Sequence, residues 1–121
     1  MKRKITILNA EVTENELILE ADSDIDLSGL NDAGQMLVDS DNLSFVYLAE
    51  EEEEYIYISV PEAVWPDIQK ARQLKLQAIA VNNKGKLMLT RFMEELEYLI
   101  ENIKGNSNYG EEMVAKVEGV F

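Results

Sequence analysis

The sequence contains no Cys and no His. A chain without either has no disulfide, no Cys/His zinc site and no covalent haem to hold it together, so its fold rests on a hydrophobic core. At 121 residues it is long enough for one, since a domain of this size buries about two-thirds of the surface its unfolded chain exposes. Apolar residues make up 46% and charged residues 29%, the balance of a soluble globular fold, and residues 1–121 read as a single domain. The same absence removes thiol nucleophiles and imidazole bases. Any enzyme here would work through carboxylates, Lys, Tyr or a metal, and no Gly-rich phosphate loop or Ser nucleophile elbow is present.

Charge narrows the partners. Twenty-four acids against eleven bases give a net charge of −13. Nucleic acids and anionic membranes repel such a chain at long range, so neither is expected as a partner. The charge is uneven: residues 1–60 carry fifteen acids and three bases, while residues 61–121 carry nine acids and eight bases. Between Ile68 and Met93 lie six bases and no acid, among them Lys70, Arg72, Lys75, Lys84 and Lys86. Solubility explains the charge most simply. A sharper reading makes the basic stretch a face that docks an acidic partner or the acidic half of a second copy, an association that added salt would weaken. The start, Met1-Lys2-Arg3-Lys4, is basic, but Ile5 to Leu8 is too short for a signal peptide. No run approaches a membrane span, so the expected location is the cytoplasm.

Local patterns predict strands first. Lys4–Leu8 and Glu16–Glu20 read as a hairpin. Asp22 to Gly34 reads as a loop with at most one helical turn around Leu27–Leu30. Met36–Val38 and Leu43–Leu48 flank the turn formers Asp39-Ser40-Asp41-Asn42. Tyr55–Val60 alternates aromatic and aliphatic residues, which suits a strand with two covered or half-covered faces, and Pro61 ends it. Together these predict a meander of about five strands. Pro61-Glu62 and Pro66-Asp67 look like helix openings, with Val64, Ile68 and Ala71 as the apolar stripe of a helix ending near Leu74. Leu76–Val81 and Lys86–Thr90 form a second hairpin around Asn82-Asn83-Lys84-Gly85. Thr90 is placed to cap a helix with Phe92, Leu96, Leu99, Ile100 and Ile103 on one face and Gly105 at its end. A last helix from Glu111 carries Met113, Val117, Val120 and Phe121, supported by a Glu112–Lys116 pair. The expected fold is α+β: a mainly antiparallel sheet of about six to seven strands with two or three helices packed on one face.

Few residue clusters suggest chemistry. Asp22-Ser23-Asp24-Ile25-Asp26 starts like a calcium loop, but Leu27 stands where the sixth-position Gly belongs and Ala33 where the bidentate Glu belongs. It reads as a solvated acidic loop, with a looser divalent site as the alternative. Glu50 to Glu54 must point into water and guard a strand edge, or else forms a docking spike for a basic partner. Asp39 and Asp41 are explained by turn hydrogen bonds, with a catalytic or ligand role as the alternative. Trp65 is read as a core anchor in preference to a surface one. Asn106, Ser107, Asn108, Tyr109 and Gly110 connect two helices, or line a small polar pocket.

Two segments carry a resemblance. Gly34-Gln35-Met36-Leu37-Val38-Asp39-Ser40-Asp41-Asn42 and the run from Glu97 through Tyr98-Leu99-Ile100-Glu101-Asn102-Ile103-Lys104-Gly105-Asn106-Ser107-Asn108-Tyr109 to Gly110 resemble a family of small acidic proteins from Bacillus, Staphylococcus and their relatives, sometimes called YjbL-like. The resemblance covers nearly the whole chain. It implies a bacterial, cytoplasmic, free-standing domain, and it brings no activity, cofactor or catalytic residue with it.

The sequence therefore favours a non-enzymatic binding or protein-interaction module, with Lys70, Arg72, Lys75, Lys84 and Lys86 as the candidate contact surface and a protein partner or self-association as the mode. No cofactor, catalytic set or metal-ligand set is expected. The alternative is a ligand-binding or divalent-metal-binding domain, or a carboxylate-based enzyme, with a pocket near Asp39, Asp41, Asn106, Asn108 and Tyr109.

Overall fold

The first hairpin follows from alternating Ile and Leu on both arms. In the computed structural model, which describes residues 3–121, β1 (Arg3–Val12) and β2 (Glu16–Ala21) pair antiparallel. Thr13 closes their turn, its amide donating to the Glu16 carbonyl at 2.8 Å and its hydroxyl accepting from the Glu16 amide at 3.0 Å. Ile5, Ile7, Leu17 and Leu19 all face one side and are almost fully buried. A strand pair so apolar on one face belongs at the centre of a sheet.

That is where the fold puts it, and the five-strand meander is thereby corrected. The seven strands run in the order β3-β4-β5-β1-β2-β6-β7. Only β3 (Asn31–Asp39), β4 (Ser44–Glu51) and β5 (Glu54–Pro61) form a meander. β1 then pairs parallel to β5, and β2 pairs parallel to β6 (Gln77–Asn82). β6 and β7 (Gly85–Leu89) close the far side antiparallel. Four of the six pairings are antiparallel, so the sheet is mixed but mainly antiparallel. The hairpin takes the middle because α1 (Trp65–Gln73), which links β5 to β6, packs across β1 and β2.

β3 begins five residues earlier than its apolar run suggests. Gly34, at φ 68, sits in a bulge where the register against β4 shifts between Asp32 and Gln35. A bulge of this kind lets Asn31 and Asp32 pair with Glu50 and Ala49 although neither favours a strand. The helical turn expected at Leu27–Leu30 is a single 3-10 turn over Leu27–Gly29, capped by Asp26.

Three helices cover one sheet face, as α+β packing requires. The stripes Trp65, Ile68 and Ala71 of α1, Phe92, Leu96, Ile100 and Ile103 of α2 (Phe92–Ile103), and Met113 and Val117 of α3 (Glu111–Val120) enter one core with the inward strand residues. Trp65 is fully buried, its indole N–H donating to the Val60 carbonyl at 3.1 Å. Its ring lies 5.0 Å from Phe45 and 5.8 Å from Phe121, so the last residue closes an aromatic cluster under the sheet. Gly105, at φ 71, follows the end of α2 as expected. Two local expectations are corrected. Thr90 does not cap α2, because its hydroxyl is turned to Asp32. Lys116 pairs across the fold with Glu62 at 3.4 Å, and not with Glu112.

The β6–β7 turn is tightly seated. A Cβ on Gly85 would lie 2.2 Å from the Ser28 hydroxyl and 2.9 Å from the Ser28 backbone nitrogen. Gly85→Ala is therefore expected to destabilise the protein by about 1–3 kcal/mol, as overpacked sites do. Urea unfolding of the variant checks this, and an unchanged midpoint would contradict the packing argument.

Candidate functional site

Asp32 is the most densely hydrogen-bonded carboxylate in the described chain. One oxygen accepts from the Tyr47 hydroxyl at 2.5 Å and the Gly34 amide at 2.9 Å. The other accepts from the Thr90 amide at 2.9 Å and from the Thr90 hydroxyl. Tyr47 in turn accepts from the Arg91 amide at 3.2 Å. Partial burial by itself would raise the Asp32 pKa, but the Thr90 and Tyr47 hydroxyls and the Thr90 and Gly34 amides outweigh it, and the carboxyl sits below its ordinary value. Burial, then the Asp32 carboxylate, pushes the Tyr47 phenol well above its ordinary value.

Perturbed groups often mark active sites. Here the geometry says otherwise. A carboxylate offers about four lone-pair positions, and four donors occupy them, so none is left for a substrate proton or a cation. The cluster ties β3 to the β7–α2 junction and is structural.

This sets a pH dependence. Because the folded pKa of Asp32 is depressed, its stabilisation is complete above the unfolded value of about 4 and is lost as pH falls through the folded value. Asp32→Asn is expected to cost about 2 kcal/mol at pH 7, the range for hydrogen bonds to a charged group. The gap to the parent protein should narrow below about pH 4. Denaturation midpoints across pH 2–7 test this; a gap independent of pH would sink it.

The basic stretch does not form one surface. Lys70 and Lys75 are exposed on α1 and the turn after it, whereas Lys84 and Lys86 are exposed on the β6–β7 hairpin. The six residues of β6 separate the two pairs, about 20 Å of strand. Arg72 is engaged by Glu97, at 2.5 and 3.1 Å, and by Gln69. The acidic loop is stitched to the same hairpin: Asn82 donates to the Ser23 and Ile25 carbonyls at 2.8 and 2.7 Å, and the Lys86 amide donates to Ser28 at 3.3 Å. The chain's two charge blocks are thus interleaved in space. Among the described residues no three His, Cys, Asp or Glu side chains converge as a metal ion requires.

Asp39 and the α2–α3 connection line separate grooves. Asp39 holds its turn by accepting from the Asn42 side chain at 2.8 Å, and Asp41 is exposed beside it. Asn106 caps a 3-10 turn over Ser107–Tyr109, accepting from the Asn108 amide at 3.1 Å and donating to the Asn102 carbonyl. Tyr109 packs against the core. The groove beside this connection is lined by Gly105, Ser107, Val114 and Glu118, among others.

Asp39 instead opens onto the other side of the sheet. Val46, Leu48 and Ile79 are buried, at 9%, 4% and 6% exposure, yet they stand outside the helix-covered core. They point away from the helices, on an outer face where Leu37 and Tyr55 are nearly half exposed. There Lys4, Asp39, Val46, Tyr57 and Ser59 line a groove of about 190 Å³. Neighbouring strands put Leu37, Val46 and Ser59 in one row and Leu48, Tyr57 and Lys4 in the next. Sequence reasoning named Asp39 but missed this face. The available signal was the unbroken apolar content of Phe45–Ala49, which leaves no polar side for a strand covered on one face only.

The architecture defines a small α+β domain with one sheet face covered by helices and the other open. Residues 5–121 match the model of a family of unknown function, UPF0738, and the chain belongs to that family. UPF0738 proteins of Bacillus cereus and Bacillus thuringiensis are 43% identical to it, and one of Bacillus mycoides is 42% identical, each over all of this chain and 99% of the relative. The resemblance to a Bacillus family without assigned activity is borne out. No solved structure matches the chain. No helix among the described residues is long and apolar enough to cross a membrane.

Proposed function

We infer that this protein is a non-enzymatic interaction module of the cytoplasm, and that its contact surface is the outer face of β3, β4, β5 and β1. The observation that carries this reading is the apolar floor of Val46 and Leu48, flanked by the nearly half-exposed Leu37 and Tyr55, on the side opposite the helices. An exposed apolar patch with a polar rim is the mark of a protein contact. The two side chains with shifted titration, Asp32 and Tyr47, are consumed in holding the fold, which supports a role without catalysis. The basic residues Lys70, Lys75, Lys84 and Lys86 then act at the margins, through rate and orientation of approach.

Site-specific photo-crosslinking in living cells tests the reading. A photoreactive residue at position 37 or 55 is expected to yield protein adducts. The same residue at position 98, where Tyr98 is 65% exposed on α2, is expected to yield none. Equal adduct formation at all three positions, or none at 37 and 55, would rule out this face as the contact surface.

A further inference from the structure

We propose that the partner seated on this face is a second copy of the same chain, in a weak twofold dimer. The proposal rests on the reading of the outer face given above and names its occupant.

The argument is electrostatic. A chain of net charge −13 repels its own copies almost everywhere, so self-contact requires a region free of that excess. The rows that cross β3, β4, β5 and β1 on the outer side hold Gln35, Leu37, Ser44, Val46, Leu48, Tyr57, Ser59 and Thr6. Within these three rows the charges are Lys4 and Asp39, one of each sign, and Glu50 stands in the next row beside Tyr55. Lys4 is exposed, and no ion pair engages it among the described residues. Asp39 accepts hydrogen bonds from Asn42, and among the described residues no ion pair engages it either.

Placement makes the two charges complementary to themselves. Lys4 stands on β1 one row to one side of the Val46–Ser59 pair, and Asp39 stands on β3 one row to the other side. A twofold axis lying in the contact plane and crossing the groove floor between Val46 and Ser59 brings each Lys4 over the other copy's Asp39. An isologous interface demands this reciprocity. The four strands, about 4.8 Å apart and some five residues deep, present roughly 300 Å² of plane, well short of the ~800 Å² per partner of a stable complex. The dimer is therefore concentration-dependent.

Sedimentation velocity from micromolar to millimolar protein is the test. The parent chain is expected to move from 13.8 kDa toward twice that mass as concentration rises. Lys4→Asp and Asp39→Lys should each weaken association at least tenfold, and the double variant should regain it, since the pair is restored with its signs exchanged. Leu37→Glu, on an exposed side chain that leaves the turn at Asp39 intact, should weaken it as well. Melting curves confirm that each variant is folded. A parent protein that stays monomeric at every concentration overturns the proposal, as does a double variant no better than the singles. If the parent is monomeric while positions 37 and 55 still capture another protein, self-association falls and the interaction face stands.

Discussion

The carboxylate of Asp32 is the point on which the curl of the sheet turns. It lies on β3, at one edge of the sheet, and accepts from Thr90, which follows β7 at the other edge. Tyr47 reaches it from the neighbouring strand and also holds the Arg91 amide. These bonds bring the two ends of a seven-stranded sheet together over the start of α2, whose Glu95 accepts from the Met36 amide at 3.2 Å. Without them β3 and β7 would be open edges carrying unpaired amides, the usual route to aggregation. Lys86, whose amide is taken by Ser28, shows the same device further along β7.

With the edges joined, the sheet has one side to fill and one to leave open. Helices fill the first, and the Phe45, Trp65 and Phe121 rings occupy its deepest part. The open side keeps Val46 and Leu48 buried by their strand neighbours and leaves Leu37 and Tyr55 nearly half exposed, and it is these two that carry the cost of apolar surface in water. The bonds that close the sheet and the residues of its open face are thus different ones. This division lets charge and apolar content on the outer face vary without disturbing the closure at Asp32.

Local structure was largely legible in the sequence, because hairpins and amphipathic helices are written in short-range pattern. Both hairpins, the turn at Asp39–Asn42, the stripe of α2 and its Gly105 end follow from residue spacing. The insertion of β1 and β2 between β5 and β6 does not, since parallel pairing across a long crossover leaves no mark in a window of ten residues. Asn31 and Asp32 are hard to read as strand residues for another reason: their pairing is imposed by β4 and eased by a bulge at Gly34. Thr90 reads equally well as a cap, and only the arrival of Asp32 from elsewhere in the chain decides its use. Of the candidate site, Asp39 was visible as a turn former, while its neighbours Lys4 and Ser59 are remote in sequence and meet it only through the strand order.

The central hairpin also has a bearing on how the molecule assembles. β1 and β2 leave the ribosome before β5 and β6, so Ile5 awaits Ile58 and Leu19 awaits Ala80 before either strand gains its second neighbour. Until then the most water-averse ribbon of the chain has both long edges bare. Pairings this distant along the chain are slow to form, because the loop must close before any contact rewards it. During that wait the acids that crowd Glu11 to Asp26 and Glu50 to Glu54 repel other copies of the nascent chain.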